Sequence, residues 1–187
     1  MMTQEGAPTF PQRRRFRLPR RAGRAACVLL AASASAGHAS GQSLPETHGD
    51  WVVQCANADT NGEQCQMTQT LTADGTGLHV MTMIVRPADG ANGLTALIRL
   101  PHGLFLPSGV ALQVNGGTAV PALIQTSDAN GVYASVPLPA SLVDAMKAGR
   151  SMTVAMQSVK REPIALTVSL AGFTAASGVL AARTTGD

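Results

Sequence analysis

Three sets of side chains in this 187-residue chain have types suited to chemistry: the pair Cys55 and Cys65, the run His79-Val80-Met81-Thr82-Met83, and Ser108 in Leu106-Pro107-Ser108-Gly109. On a strand, positions 79, 81 and 83 share one face, and an imidazole with two thioethers is a soft donor set suited to Cu(I). Same-face neighbours stand about 7 Å apart, wide for ligands of one ion. Methionine also fills irregular core gaps without any metal. A Met-lined core face ending in a histidine is therefore the favoured reading. No metal is assigned, and His79, Met81 and Met83 stand as the alternative. His48, His79 and His102 show no H-x-H or H-E-x-x-H spacing. Ser108 is not in a G-x-S-x-G elbow, and Pro107-Ser108-Gly109 reads as a turn before a strand. Asp50, Asp59 and Glu63 lack an apolar setting that would raise a carboxyl pKa. The expectation is a chain with no catalytic residue and no cofactor, hence not an enzyme.

The cysteines take their meaning from the compartment. Residues 13–24 are a dense basic block, residues 25–36 an apolar run, and small residues then offer cleavage after Ala36 or Ala39. This describes a secretory signal peptide over residues 1–39. A run of that length is too short to span a bilayer, which takes roughly 20 apolar residues, and no later stretch comes close. Arg13-Arg14-Arg15-Phe16 resembles a twin-arginine export signal, but an ordinary leader with a long basic region explains it as well. Cys27 opens the apolar run instead of closing it, which does not suit a lipidated cysteine. Its removal leaves Cys55 and Cys65, an even pair that in an exported protein reads as a structural disulfide, with no C-x-x-C to suggest redox work. The formal charge of +3 is also the leader's doing: residues 40–187 hold seven Lys/Arg against ten Asp/Glu, a balance of −3. Nucleic acid is not an expected partner. The location expected is periplasmic or secreted.

Residues 40–48 read as a polar linker. Strands are expected at 51–55, 64–71, 78–86, 95–100, 110–114, 122–126, 132–137, 152–159 and 164–170. Between them stand Asn-Gly and Asp-Gly pairs such as Asn115-Gly116 and Asn130-Gly131, which tolerate the positive φ of tight reversals. Turns at this density, with alternation such as Ile164, Leu166, Val168 and Leu170 on one face, indicate an antiparallel all-β sandwich or barrel. Only 139–148 looks helical: Pro139 suits a first turn, Leu142 and Met146 share a side, and Gly149 fits the stop. Residues 175–187 read as a flexible tail. Trp51, Phe105, Tyr133 and Phe173 are too sparse for base-stacking or sugar-binding platforms. Trp51 is expected to pack beside the disulfide; its alternative role is a protein-contact anchor. Leu104-Phe105-Leu106 is either an exposed contact loop or a strand dipping into the core.

Several motifs in order resemble a known family. They are Gly49-Asp50-Trp51-Val52-Val53-Gln54-Cys55 with Cys65 ten positions on, Gly103-Leu104-Phe105-Leu106-Pro107-Ser108-Gly109-Val110, Leu112-Gln113-Val114-Asn115-Gly116, Ala148-Gly149-Arg150-Ser151, and Pro163-Ile164-Ala165-Leu166-Thr167-Val168-Ser169-Leu170-Ala171-Gly172-Phe173. They resemble the invasion-associated locus B proteins of bacterial envelopes. The resemblance covers about 46–173 and implies an immunoglobulin-like antiparallel β-sandwich over residues 49–174 with one short helix. It brings no catalytic residue or cofactor. It points to an accessory or structural factor in envelope integrity or host interaction, working through contact with another envelope or host protein. The alternative is a periplasmic small-ligand or Cu(I)-binding carrier. Many members carry a second cysteine pair in the hairpin corresponding to 125–134; here Ser127 and Val132 stand there. One bridge is expected, with that hairpin relying on Asn130-Gly131 and packing.

Overall fold

The computed structural model describes residues 44–58, 62–88 and 93–184. The leader with its cleavage points, Asp59 and residues 89–92 lie outside the described residues. Ten strands follow in order: β1 (Glu46–His48), β2 (Trp51–Ala58), β3 (Gly62–Thr72), β4 (His79–Pro87), β5 (Leu94–Leu100), β6 (Val110–Val114), β7 (Val120–Asp128), β8 (Gly131–Leu138), β9 (Ser151–Gln157) and β10 (Pro163–Ser169). Two α-helices accompany them, α1 (Ala140–Ala148) and α2 (Phe173–Thr184), with a 3-10 turn at Leu106–Ser108. The strands form one antiparallel sheet in the order β1-β2-β3-β4-β5-β8-β7-β6-β9-β10. All nine expected strands are present, and the chain is all-β in class.

Alternation decides which side of each strand is dry. Trp51, Val53 and Cys55 on β2, Met67 on β3, Met81, Met83 and Val85 on β4, and Ala96, Ile98 and Leu100 on β5 are all buried. Leu112 on β6 and Val154 on β9 bury from the other part of the sheet. Turn chemistry closes the reversal after β6: Asn115 and Gly116 take φ of 50° and 70°, and Gly117 N–H donates to Val114 O at 2.9 Å. Two consecutive positive φ values make the mirror-image turn whose twist matches that of flanking strands.

The sheet curls until its far ends meet. The turn between β1 and β2 crosses the chain that leaves β10, with Asp50 N–H donating to Ala171 O at 3.1 Å. Gly49 and Gly172 make the crossing, at φ of 57° and 86°. A Cβ on Gly172 would lie 1.9 Å from His48 O, and one on Gly49 2.4 Å from Ala171 O. Two side chains lock the junction. The Gln69 amide receives Ser169 N–H at 3.0 Å and donates to Ser169 O at 2.9 Å. Trp51 Nε1–H donates to the same carbonyl at 3.1 Å.

Two expectations are corrected at the termini. Residues 46–48, read as linker, pair with β2 through Glu46↔Val53, Thr47↔Val52 and His48↔Trp51. The expected flexible tail begins inside α2, so there are two α-helices rather than one. Phe173, Ala176, Ser177 and Leu180 are buried, the i, i+3, i+4, i+7 stripe of an amphipathic helix. With small residues in the middle of that stripe, α2 packs on β1, β2, β3 and β4. Arg183 then pairs with Glu46 at 2.5 Å.

Trp51 is the sole tryptophan, so its emission reports this junction. Phe173→Ala is expected to cost about 3–5 kcal/mol by cavity formation and to red-shift the native emission. Urea unfolding followed by fluorescence measures both; a stable variant with unshifted emission would mean α2 does not seal the ring.

Candidate functional site

The structure does not bring His79, Met81 and Met83 together. Met81 and Met83 are fully buried in the core. His79 is exposed and stands on the opposite face. The cause is a bulge: Leu71 pairs with Met81, but the next residue, Thr72, pairs with His79 rather than Val80. One extra residue in β4 reverses the facing of everything before it. His79 Nε2 therefore meets Thr82 Oγ1 at 2.6 Å and Arg99 Nη2 at 2.8 Å. Thr82 Oγ1 lies in turn 3.4 Å from Thr70 Oγ1. Desolvation first, and the Arg99 guanidinium second, hold the imidazole below its ordinary pKa of 6.5. Neutral His79 accepts from Arg99; a charged ring would face a cation. This reversal separates His79 from the two methionines, and His79 instead joins β4 to β5 on the wet side.

The other sequence candidates also resolve into structure. Cys55 and Cys65 form a disulfide, with an S–S distance of 2.03 Å between directly paired residues of β2 and β3. Trp51 is fully buried, as a packing residue is. Its ring meets Phe173 edge to face, with centroids 5.4 Å apart. The disulfide lies four residues further along the same inward face of β2, roughly 13 Å away at strand spacing. Ser108 Oγ–H donates to Phe105 O at 2.8 Å, inside the 3-10 turn. Ser127 and Val132 are register partners across β7 and β8. The hairpin there is held by Asp128, whose carboxylate accepts from Asn130 N–H at 2.8 Å and from Tyr133 O–H at 3.3 Å. The backbone bond from Asn130 leads the interactions that lower its pKa.

Leu104-Phe105-Leu106 is strand-like at its first residue and exposed at its last. Leu104 bridges Ser158 as an isolated β-pair and packs against the core. Val159 N–H donates to Gly103 O at 2.8 Å, and Phe105 N–H to Gln157 O at 2.9 Å. The loop is thus bolted to the hairpin between β9 and β10. Leu106 remains 44% exposed and Val159 67% exposed. Arg161 lies 4.8 Å above the Phe105 ring, a cation–π contact, and Lys160 beside it is exposed. Val159, Lys160 and Arg161 were not singled out in the sequence because this reversal has no Gly or Asn. Ser158 replaces them: its Oγ accepts from Lys160 N–H and Glu162 N–H, each at 3.2 Å. Arg161 takes the positive φ, at 65°.

Fold and site define an antiparallel β domain with a cross-strand disulfide and a fixed apolar and cationic loop surface. Residues 51–180 match the invasion associated locus B (IalB) protein family, and the chain belongs to that family. Two invasion protein B homologues of Brucella abortus, from strain 2308 and biovar 1 strain 9-941, are each 30% identical over 149 residues, covering 79% of this chain and 84% of theirs. The crystal structure of invasion associated protein B from Bartonella henselae superposes with a TM-score of 0.70 at 26% identity, covering 76% of this chain and 97% of that one.

Two tests follow from the β4 bulge. Met81→Ala is expected to cost about 2–5 kcal/mol as a core truncation, while His79→Ala leaves the Cu(I) affinity of the protein unchanged in a chelator competition. A loss of affinity in both would restore the trio as a site. The second test concerns pH. The folded chain holds the His79 proton less tightly than the unfolded chain, so the associated stability is full above pH 6.5 and drains as pH falls below it. His79→Gln should melt with a shallower loss of stability just below pH 6.5 than the parent; equal slopes would remove His79 as the titrating group.

Proposed function

We propose that this is an exported, non-enzymatic envelope protein that acts by contact with another envelope or host protein, through the surface made by loop 103–109 and the hairpin between β9 and β10. The observation that carries this reading is that Leu106 and Val159 are both exposed on two segments hydrogen-bonded to each other, with Lys160 and Arg161 next to Val159 in the chain. Apolar side chains held on a fixed backbone lose little further freedom on binding. Export is supported by the leader pattern, by a disulfide between Cys55 and Cys65, and by relatives named as invasion proteins. No helix among the described residues is long and apolar enough to cross a membrane. The location proposed is the periplasm or beyond, after cleavage following Ala36 or Ala39. The curled sheet is read here as an immunoglobulin-like sandwich, with β1–β5, β8 and β7 facing β6, β9 and β10.

A photo-crosslinking residue at position 159, introduced in cells that make the protein, tests this directly. The expected result is a discrete adduct with one partner, absent when the probe stands at exposed Thr76 and lost in Leu106→Asp/Val159→Asp. Those surface changes should move stability by only about 0.5 kcal/mol. Identical adducts at 159 and 76, or none at 159, would overturn the reading.

A further inference from the structure

Strand β2 outruns the strand that covers its outer side. The register Glu46↔Val53, Thr47↔Val52 and His48↔Trp51 ends β1 level with Val53, while β2 continues to Ala58. Among the described residues no strand lies beside Gln54–Ala58 on the β1 side. The other side of this stretch is paired with β3 as far as Ala58↔Gly62, and the Cys55–Cys65 disulfide ties it there. A fixed strand edge is an ordered template for one more segment of extended chain. Exposed edges are ordinarily guarded by charge or proline, and Gln54-Cys55-Ala56-Asn57-Ala58 has neither.

One distance fixes which backbone groups face that side. Cys55 and Cys65 are register partners with Cα atoms 4.0 Å apart, the narrow spacing of a pair that exchanges no backbone hydrogen bonds. The N–H and C=O of Cys55 therefore point away from β3, and by alternation so do those of Val53 and Asn57. Carried backwards, the register of β1 sets Pro45 opposite Gln54, Leu44 opposite Cys55, Ser43 opposite Ala56, Gln42 opposite Asn57 and Gly41 opposite Ala58. Leu44 and Gln42, the positions that face β2 in this register, both have an N–H to give. Pro45 falls where an N–H would point outward, the place at which an edge strand tolerates proline. Cleavage after Ala39 leaves Ser40 as the first residue, one beyond Gly41, so segment and edge have matching lengths. Leu44 adds a second observation. It is 86% exposed, and pairing with Cys55 brings it to the face on which Val53 and Cys55 are buried.

We propose that in the exported, leader-cleaved protein residues 41–45 run on from β1 along Gln54–Ala58, so that the mature amino terminus closes the edge of β2 with its own chain. The backbone bonds of this pairing are those of Leu44 with Cys55 and of Gln42 with Asn57. Its consequence is protection. An uncharged edge can pair with any extended chain, a second copy included, and here the cover is built into the same molecule. Leader removal supplies the end of the cover, because the terminus stops where the edge stops. This pairing is independent of loop 103–109 and of whatever docks there.

Amide hydrogen exchange, read residue by residue on the exported protein recovered from its cells, tests the pairing. The Asn57 amide is expected to be protected, and to exchange at least about tenfold faster once residues 40–43 are deleted, while the Met83 amide in the core is unchanged. Single prolines then read the register. Gln42→Pro and Leu44→Pro remove N–H groups aimed at β2 and should speed exchange at Asn57; Ser43→Pro removes one that faces outward and should leave it as in the parent. Native Trp51 emission reports that each variant is folded. Equal protection of Asn57 in the deletion, the same effect from all three prolines, or protection that grows with protein concentration and so belongs to a second copy would each overturn the proposal.

Discussion

The bond set between Gln69 and Ser169 is the constraint on which the rest of the molecule depends. A sheet of ten strands has two edges, and here both ends of the strand order are brought to one place. Gln69 is 5% exposed, so its amide has left water and must recover its hydrogen bonds inside the protein. It does so by giving and taking one bond each with the Ser169 backbone, the exchange a neighbouring strand would make. A side chain thus substitutes for a strand at the point where β10 runs out of partners. That geometry is reachable only if the chain at Gly49 passes the chain at Gly172 without side chains between them. Trp51 and Phe173 then occupy the space the crossing encloses. Every inward side chain of β2, β3 and β4 finds its place relative to this knot.

Much of this was legible in the residues, and the failures have physical causes. Strand positions followed from turn residues with special φ preferences, because Asn-Gly and Asp-Gly pairs mark reversals whatever the rest of the fold does. The facing of His79 was not legible. Alternation assumes an unbroken pleat, and the bulge opposite Leu71 and Thr72 leaves no mark in residue type. Helix α2 was written in its spacing: Phe173, Ala176, Ser177 and Leu180 repeat as a helix face should. Only its two ends are large and apolar, so the pattern looked like a loose Ala-rich tail. The hairpin after β9 used Ser158 and Arg161 in place of Gly or Asn, and its exposed tip was hidden for that reason. The resemblance to the locus B family, by contrast, rested on several motifs in order and is shown.

What looked like chemistry in the sequence became architecture in the fold. Ser108 closes its own turn, the cysteines bind two strands to each other, and the methionines fill the core where β3 and β4 cross it. A family fold is compatible with many functions, so the functional argument has to come from what remains on the outside. There a cation pair and an exposed apolar side chain occur in company, with Val159 beside Lys160 and Arg161 at one hairpin.

The edges of the sheet argue about the mode of contact. Recruitment by strand addition needs a long, flat, unpaired edge. Strand β1 is three residues long, too short to template a partner. Strand β10 opens with Pro163, which lacks an N–H, and its other end is occupied by Gln69. The third opening is β7, which pairs with β6 only as far as Ala122 and from Leu123 to Asp128 pairs with β8 alone. That stretch is interrupted by the irregularity at Gln125, whose side-chain amide donates to Leu123 O at 3.3 Å. A bulge twists an edge away from flat pairing, and a side chain bonded to the outward carbonyl occupies it. These three openings are blunted by shortness, proline or a bulge, whereas β2 from Gln54 to Ala58 has no strand on its β1 side among the described residues. The loop surface proposed above is built on backbone already fixed by its own hydrogen bonds.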